Sequence, residues 1–496
     1  MSLPIRFAAA LGAIAALLAC ADPGSGVRDS ADRPNFIVVF VDDMGYGDIG
    51  AFGSTQNRTP AIDAMAEAGM KLTSFYAHPV CTPSRAALLT GCYPIRNGLQ
   101  TGLWHPVLMP GDPQGIHPDE ITVAEVLRDR GYATGLIGKW HLGDQPEFLP
   151  NQHGFEYFFG LPYSNDMSPF MPLNPRNHPP LPLLRNGKVV REVPEDQSFL
   201  TGSYTAEALE FIERHSKEPF FLYIPHSMVH VPLWAGEDFK GSSTNGILGD
   251  CIEELDAGVG QIRAKLEEHG IADNTLLVFT SDNGPARGSS GPLRGRKGTT
   301  YEGGLRVPAV AWWPGTIPAG SSYDDVSTTM DILPTFAALA GAETPADRLD
   351  GFDISDILKG NTAKPSPYAA FYYYRGYELR AVRSRNWKLH SDGTLYNLEE
   401  DIAESADRAS ERPEVAARLS GLLEEGRRNL GDGPVWPLDP GIALPETARR
   451  VGRIDGEPKL LIPRHGLEGA AAHEPPVRSK TVETKPPPGY VRPANW

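Results

Sequence analysis

Cysteine is scarce in this sequence, and the few cysteines follow no common metal-binding or disulfide spacing. The 496 residues include four of them, Cys20, Cys81, Cys92 and Cys251. Four are too few for a disulfide-stabilised scaffold, and the C-x-x-C spacing of structural zinc sites is absent. The sequence leaves open whether Cys92 and Cys251 pair.

Basic residues are outnumbered by acidic ones. Lys and Arg total 46 while Asp and Glu total 62, which gives a net charge of −16. A chain with this charge repels phosphate backbones, so we expect no nucleic-acid partner, although a local basic pocket is compatible with it. The hydrophobic share of 41% and the charged share of 22% are ordinary for globular proteins, which excludes wholesale disorder.

Two common catalytic loops are absent as well. The P-loop pattern G-x-x-x-x-G-K-[ST] does not occur, and residues 295–298 resemble it only superficially. The nucleophile elbow G-x-S-x-G of α/β-hydrolases is also missing. Neither of these two motif-based activities is therefore predicted.

Long apolar runs are missing beyond the N-terminus. Arg6 is followed by an uncharged apolar run at residues 7–19, too short to span a bilayer but typical of an export signal. Residues 17–20 resemble a bacterial lipobox. We therefore predict that residues 1–20 are a lipoprotein-type signal and residues 21–33 a tether, with an ordinary cleaved signal as the alternative. The mature protein would be periplasmic, an outer-membrane lipoprotein or secreted, and would touch a membrane only through an N-terminal lipid.

Buried-type strands alternate with amphipathic helices along the chain. Continuous apolar runs, rich in β-branched and aromatic residues, occur at 35–41, 132–137, 220–224 and 276–280. Helical periodicity covers residues 123–127 and 252–266. This alternation predicts an α/β fold with a large mixed, mostly parallel sheet flanked by helices. Such folds place their ligands beyond the carboxyl ends of the strands.

Acidic and amide residues follow two of these strands. Asp42 and Asp43 follow the first, and Asp282 and Asn283 follow the last. Taken singly, the acidic pair could cap a helix, and Asn283-Gly284 could be a simple turn. Taken together after buried strands, they are typical oxygen ligands for a hard cation such as Ca²⁺ or Mg²⁺.

Histidines follow the other two strands. Lys139 and His141 come after one of them, and His226 and His230 come after the other. The last two have the H-x-x-x-H spacing of a helical zinc pair. Because prolines flank them on both sides, a helix there is not expected, and zinc is disfavoured.

Cys81 precedes a short helical pattern. Thr82 fits a helix N-cap, Pro83 the first helical position and Gly91 the stop. Cys81 would then lie at the positive end of a helix, a place that attracts anions and activates nucleophiles. The alternative is a buried structural cysteine.

Residues 81–85 match the C-x-P-x-R signature of the type I sulfatases, which the sequence resembles at several further motifs. Residues 42–48, 138–143 and 281–284 are similar to other signatures of that family, in the same order. Residues 160–164 and 297–304 are especially similar to the branch containing arylsulfatase A and N-acetylgalactosamine-6-sulfatase. The resemblance runs from about residue 35 to about residue 401 and implies an alkaline phosphatase-like fold.

The resemblance implies a role for each matching residue. Cys81 would be oxidised to formylglycine by a formylglycine-generating enzyme, and the hydrate of that aldehyde would attack sulfur. The implied ligands of the calcium ion (or Mg²⁺) are Asp42, Asp43, Cys81, Asp282 and Asn283. Arg85 would hold the hydrate, Ser164 would contact the sulfate, and the role of His226 stays open. The residues implied to surround the sulfate, with His230 as acid and His141 as base, are Lys139, His141, His230 and Lys297.

The C-terminal part is expected to be a smaller unit. Residues 380–390 and 394–398 flank a Ser-Asp-Gly turn typical of a hairpin, and residues 414–427 have a helical pattern. We predict a catalytic domain at 34–365, a small α+β subdomain with an antiparallel sheet at 366–430, and a proline-rich tail at 431–496.

These observations predict a sulfatase that hydrolyses sulfate monoesters, with a sulfated carbohydrate or an aryl sulfate ester as its substrate. One alternative is a phosphomonoester or phosphonate hydrolase of the same superfamily. Another is a catalytically silent sulfoglycan-binding lipoprotein.

Overall fold

The computed structural model describes residues 33–102, 105–171, 178–345, 349–433, 452–454 and 456–462. The predicted signal, almost all of the predicted tether and most of the predicted tail lie outside these residues. Within them, no helix combines the length and apolar character needed to cross a membrane.

A large mixed sheet forms the centre of the protein. In spatial order its ten described strands are β13 (Ser321–Tyr323), β2 (Met70–Leu72), β12 (Ala309–Trp312), β10 (Thr275–Ser281), β1 (Asn35–Val41), β9 (Phe220–Pro225), β5 (Ala133–Lys139), β6 (Tyr157–Leu161), β7 (Pro182–Arg185) and β8 (Lys188–Glu192). The five central strands, from β10 to β6, are parallel. The prediction of a mixed, mostly parallel α/β sheet is confirmed.

Helices cover both faces of this sheet. The described helices are α1 (Pro60–Glu67), α2 (Cys81–Thr90), α3 (Val123–Arg128), α4 (Phe199–His215), α5 (Gly246–Glu268), α6 (Glu302–Leu305), α7 (Ile332–Ala340), α8 (Ser355–Leu358) and α9 (Pro413–Leu430). Phe36, Val38 and Phe40 of β1 face a core that includes α2, α3 and α7. The alternate residues of β1 face a second core that includes α1, α4 and α5. Burial on both faces explains why β1 is apolar throughout.

A smaller antiparallel sheet follows towards the C-terminus. Its strands are β15 (Phe371–Arg375), β16 (Glu378–Ser384), β17 (Trp387–His390) and β18 (Leu395–Asn397), and α9 packs on β16 and β17. The expected hairpin across the Ser-Asp-Gly turn is present between β17 and β18. Within residues 380–390 the chain turns once more at Arg385, which adopts a left-handed conformation (φ 53°) and separates β16 from β17.

Two short ladders complete the described structure. β3 (Phe75–Tyr76) lies between β11 (Arg306–Val307) and β14 (Ser327–Thr328). β4 (Gln114–Gly115) pairs with β19 (Gly452–Arg453), which belongs to the C-terminal stretch. The first ladder leads directly into the segment that carries Cys81.

Glycines let three parallel strands approach closely near their carboxyl ends. A Cβ atom on Gly138 would lie 1.9 Å from the carbonyl oxygen of Pro225, and one on Gly160 would lie 1.8 Å from that of Gly138. Only glycine fits at such distances. The approach brings the ends of β5, β6 and β9 together, and with them Lys139, His141 and Ser164.

Candidate active site

Cys81 occupies the first turn of α2, at the carboxyl edge of the large sheet. The helix begins at Cys81 with Val80 as its N-cap and ends at Gly91, which has the left-handed conformation of a C-terminal stop (φ 68°). The prediction that Thr82 is the N-cap was wrong. Its hydroxyl group instead donates to the carbonyl of His141 (3.2 Å) and accepts from the backbone N–H of Leu108 (3.2 Å). Thr82 therefore ties the helix to neighbouring loops.

The acidic residues after β1 and β10 meet because the two strands are parallel neighbours in register. Val41 lies opposite Ser281, so the residues that follow both strands are adjacent. The backbone N–H of Asp43 donates to Oδ1 of Asp282 (3.1 Å), and Nδ2 of Asn283 donates to Oδ1 of Asp43 (2.6 Å). Asp42, Asp43, Asp282 and Asn283 are each at most 1% exposed.

Arg85 of α2 forms ion pairs with two members of this acidic cluster. Its Nη2 lies 2.9 Å from Oδ2 of Asp282 and 3.3 Å from Oδ2 of Asp42, and its Nη1 donates to the carbonyl of Lys139 (2.8 Å). Arg85 is fully buried, and its Nε has no hydrogen-bond partner among the described residues. The guanidinium group thus bonds two carboxylates and a backbone carbonyl.

Two lysines contact the same cluster, one from the end of β5 and one from the loop before α6. Lys139, the last residue of β5, forms an ion pair with Asp42 and donates to Oγ of Ser164 (3.1 Å). Lys297 lies 2.6 Å from Oδ1 of Asp43 and 3.6 Å from Sγ of Cys81. The sulfur of Cys81 is also 3.6 Å from Oδ1 of Asp42.

Burial and charge shift the pKa values in this cluster in opposite directions. Burial would raise the pKa of Asp42, but Lys139, His230 and Arg85 outweigh it and hold that pKa well below its usual value. Burial and the charge of Asp42 raise the pKa of Asp282 to about 7. Burial, together with Asp42, raises the pKa of the Cys81 thiol to about 12. An unmodified thiol at this position is therefore a poor nucleophile at neutral pH.

Two histidines flank the cluster in different tautomeric environments. Nε2 of His141 lies 3.0 Å from the carbonyl of Leu108, while its Nδ1 is buried without a partner among the described residues. Nδ1 of His230 lies 2.7 Å from the carbonyl of Val231, while its Nε2 lies 3.8 Å from Oδ2 of Asp43. In each ring the nitrogen beside the carbonyl carries hydrogen and donates to it. The other nitrogen, Nδ1 of His141 and Nε2 of His230, points away from that carbonyl.

His226 does not join this group. Its ring lies 6.0 Å from the ring of Tyr204, among the residues that cover the other face of the sheet. Neither histidine lies in a helix of the described structure, so the helical arrangement that an H-x-x-x-H zinc pair requires is absent.

The cluster has the composition and the unused atoms of a cation site. One donor atom from each of Asp42, Asp43, Cys81 and His230 lies within 4.8 Å of the others. Oδ2 of Asp43 and Oδ1 of Asn283 are buried and have no hydrogen-bond partner in the described part of the chain. Buried oxygens are rarely left unpaired, and carboxylate and amide oxygens are what Ca²⁺ prefers. The residues present therefore fit a hard cation, and His230, which the sequence raised only as part of a disfavoured zinc pair, is their neighbour.

A depression with about 470 Å³ of empty space, part of it open to solvent, is lined by Cys81 and its neighbours. Its lining includes the site residues Cys81, His141, Ser164, His230 and Lys297. Further lining residues, which the sequence did not single out, are Val80, His105, Pro106, Val107, Met109, Asp166, Met167 and His178. They come from irregular loops without periodicity. The one available signal was that Asp166 follows two residues after Ser164.

The fold and this site together define an alkaline phosphatase-like α/β enzyme whose polar centre lies at the carboxyl ends of parallel strands. Residues 34–342 match the sulfatase family model, and residues 296–425 match the model of the C-terminal region of N-sulphoglucosamine sulphohydrolase. The chain therefore belongs to the sulfatase family, whose members are sulfuric ester hydrolases.

Curated relatives and a solved structure agree with this assignment. Arylsulfatase A from Bos taurus is 44% identical over 390 residues, which cover 73% of this chain and 75% of the relative. N-acetylgalactosamine-6-sulfatase from Canis lupus familiaris is 40% identical over 396 residues, covering 75% and 74%. The PsFucS1 sulfatase from Pseudoalteromonas sp. superposes with a TM-score of 0.74 at 29% identity, covering 82% of this chain and 92% of that one. The predicted resemblance to the arylsulfatase A and N-acetylgalactosamine-6-sulfatase branch is confirmed.

Proposed function

We propose that this protein hydrolyses sulfate monoesters of carbohydrates, using a formylglycine made from Cys81 and a calcium ion. The observation that carries the proposal is the position of Cys81, which lies 3.6 Å from both Asp42 and Lys297 beneath an open cavity. Asp42, Asp43, Asp282, Asn283 and residue 81 would hold the cation. When bound, the cation would neutralise charge on the sulfate oxygens, and the formylglycine hydrate would supply the attacking hydroxyl.

The lysines and Ser164 would orient the sulfate group. Lys139 and Lys297 present ammonium groups on two sides of the cluster, and the hydroxyl of Ser164 lies between Lys139 (3.1 Å) and Nδ1 of His230 (3.5 Å). Donors fixed by such contacts would stabilise charge on the sulfate oxygens without reorganising during the reaction. Arg85, held beneath by Asp282 and Asp42, would keep residue 81 and the acids in place.

The two histidines suit opposite proton transfers. Nε2 of His141 is engaged by the carbonyl of Leu108, so Nδ1 carries the lone pair and would accept a proton. Burial, followed by the charges of Lys139 and Arg85, lowers the pKa of His141, which keeps the ring neutral. Nδ1 of His230 faces the carbonyl of Val231 and would donate to it, so the ring would act as the acid in its imidazolium form, with a second hydrogen on Nε2 that passes to the leaving oxygen. General acid and base groups typically contribute about 10²–10⁴-fold each.

The cavity supports a sugar as the leaving group. Its lining combines apolar walls with the polar side chains of His105, Asp166 and His178, the mixture of surfaces that sugars contact. One relative's name specifies an N-acetylgalactosamine 6-sulfate group. A 6-sulfated N-acetylgalactosamine is therefore our proposed substrate class.

We also propose the cellular context and domain division from the sequence. Residues 1–20 would direct export, with Cys20 as the lipid attachment point, and a formylglycine-generating enzyme would convert Cys81 during maturation. The catalytic domain would extend over residues 34–365 and the small α+β subdomain over 366–430, with residues 431–496 as the tail.

The proposal is tested by sulfate release from a chromogenic aryl sulfate and from N-acetylgalactosamine 6-sulfate. Cys81→Ala should abolish release from both, whereas Cys251→Ala, which changes another buried thiol, should keep it. A matched phosphate ester should react far more slowly. Full activity of Cys81→Ala, or a preference for the phosphate ester, would contradict the proposal.

A further inference from the structure

A second cluster of buried charges joins the small antiparallel sheet to the loop that carries Lys297. Its centre is Glu302, the fully buried first residue of α6. From the small sheet, the hydroxyl of Tyr373 (2.8 Å) and Nζ of Lys388 (3.0 Å) both donate to Oε1 of Glu302. Nη1 of Arg383 lies 3.8 Å from the other oxygen of Glu302, Oε2. We call these residues, together with Glu404, the Glu302 cluster.

The same carboxylate also contacts the large-sheet side of the molecule. The hydroxyl of Tyr76 donates to Oε2 of Glu302 (2.5 Å), and Arg306 lies 3.5 Å from that oxygen. Tyr76 ends β3, five residues before Cys81. Glu302 is therefore bonded to the small sheet, to the strand leading to Cys81 and to its own loop.

Glu404 completes the connection. Its Oε2 accepts from the backbone N–H of Glu302 (2.7 Å), and its Oε1 accepts from Lys388 (2.9 Å) and lies 2.9 Å from Nε2 of His390. Its backbone carbonyl accepts from Nη1 of Arg294 (2.8 Å). Glu404 therefore forms hydrogen bonds with Arg294 and Glu302, which lie on either side of Lys297 in the chain.

The loop between Arg294 and Glu302 is held both at its base and next to Lys297. The N–H of Gly303 donates to the carbonyl of Arg294 (2.7 Å), which closes the loop at its base. The N–H of Lys297 donates to the carbonyl of Pro285 (3.2 Å), and that of Gly298 donates to the carbonyl of Pro79 (2.8 Å). The base of the loop and these two backbone contacts together set where the ammonium group of Lys297 is presented.

Stability alone is a weak reason for such a cluster. Burying ions costs free energy that their mutual attraction only partly returns, and apolar replacements of similar volume are often as stable. Burial would raise the pKa of Glu302, yet the charges of Lys388, Arg383 and Arg306 hold it well below its usual value, so the carboxylate is charged. A charged hub with fixed hydrogen-bond directions defines one arrangement of the parts it joins.

We propose that Glu302 and Glu404 are positioning residues through which the small antiparallel sheet places Lys297 beside Asp43 and Cys81. The inference rests on the proposed function, in which Lys297 contacts the sulfate. It gives the small sheet a part in catalysis although it lines none of the described cavity.

The test is a double-mutant cycle on the full-length protein with Glu302→Gln and Lys297→Ala. Inorganic sulfate binding is measured by calorimetry for the wild type, both single variants and the double variant, and kcat/KM is measured with an aryl sulfate. Glu302→Gln should lower kcat/KM by about 10²-fold, the typical effect of misplacing a reacting group by about 1 Å. Introduced into the wild type, Glu302→Gln should weaken sulfate binding. Introduced into Lys297→Ala, it should weaken binding little further, because both changes disturb the same contact.

Two further variants separate positioning from general destabilisation. Tyr373→Phe removes one hydrogen bond to Glu302 and keeps every charge, so it should fold and show a severalfold loss in both quantities. Asp256→Asn is the matched control, because Asp256 is a buried carboxylate that accepts two backbone hydrogen bonds from α1. It should lower the melting temperature without changing kcat/KM.

The inference is overturned if Tyr373→Phe, or a folded Glu302→Gln, binds sulfate and turns over substrate as the wild type does. It is also overturned if the Glu302→Gln and Lys297→Ala effects on sulfate binding are independent. A wild type that releases no sulfate from an aryl sulfate would instead contradict the proposed function.

Discussion

The protein contains two buried clusters of charge that are alike in composition and different in saturation. In the candidate active site, Oδ2 of Asp43, Oδ1 of Asn283 and Nδ1 of His141 have no partner among the described residues. In the Glu302 cluster, both oxygens of Glu302 and both of Glu404 accept hydrogen bonds or ion pairs. Unpaired buried polar atoms are costly, and a bound cation would satisfy the two oxygens of the candidate active site. The presence of unpaired polar atoms therefore distinguishes the cluster that we expect to bind a ligand from the cluster that joins parts of the fold.

The comparison predicts that changing an unsaturated acid removes activity and spares the fold. Asp43→Asn keeps the shape of the side chain but weakens the cation site and the ion pair with Lys297. We expect aryl sulfate turnover to fall by at least about 10²-fold, as for loss of one charge-stabilising group, while the melting temperature changes little. Steady-state kinetics and thermal melts measure the two quantities. Activity within a fewfold of wild type would break the comparison at this point.

Removing the cation should act in the same place. Dialysis against a chelator should abolish turnover, and Ca²⁺ should restore it. Added Ca²⁺ should also raise the melting temperature, because a ligand that binds only the folded state contributes about 2.7 kcal/mol at 100 times its Kd. The shift should be smaller in Asp43→Asn. Equal shifts in both proteins would place the cation elsewhere.

In the saturated cluster, the same kind of change should cost stability. Lys388 is fully buried and bridges Glu302 (3.0 Å) and Glu404 (2.9 Å). Lys388→Met leaves two buried carboxylates without their shared cation, which should cost about 3–5 kcal/mol in the free energy of unfolding. Chemical denaturation measures it. Lys364→Met, which breaks an exposed ion pair with Asp356, is the matched control and should cost under about 1 kcal/mol. Equal costs would remove the distinction.

The smallest effect should come from the cavity wall. Oδ1 of Asp166 is buried beside the cavity without a hydrogen-bond partner among the described residues. If it accepts a hydroxyl or amide hydrogen of the sugar, Asp166→Ala should lower kcat/KM about tenfold for N-acetylgalactosamine 6-sulfate, the value of one hydrogen bond to a charged group. Turnover of a small aryl sulfate should not change. An equal loss on both substrates would assign Asp166 to the reaction centre or to the fold.

The sequence predicts the unsaturated cluster better than the saturated one. Asp42 and Asp282 follow strands whose uniform apolar character identifies them as central and parallel, and parallel strands end at the same edge. Their convergence follows from local pattern and topology. The motif containing Lys297 and Glu302 was recognised, but nothing local shows that Glu302 meets Lys388, which is 86 positions away.

The wrong prediction for Thr82 also comes from contacts that are distant in the sequence. Thr82 has the chemistry of an N-cap, yet its hydroxyl group is used by His141 and Leu108, which approach only in the folded molecule. The turn between β16 and β17 is formed by Arg385 and Asn386. Asn386 is a turn-forming residue type, so a local signal for this turn was present in the sequence.

The proposed mechanism requires that Cys81 is converted to formylglycine in the active protein. The mass of the tryptic peptide spanning Leu72 to Arg85 tests this, measured on enzyme that releases sulfate from an aryl sulfate. We expect a peptide in which an aldehyde or its hydrate replaces the thiol of Cys81, in proportion to specific activity. A fully active enzyme whose peptide retains the unmodified thiol would contradict it.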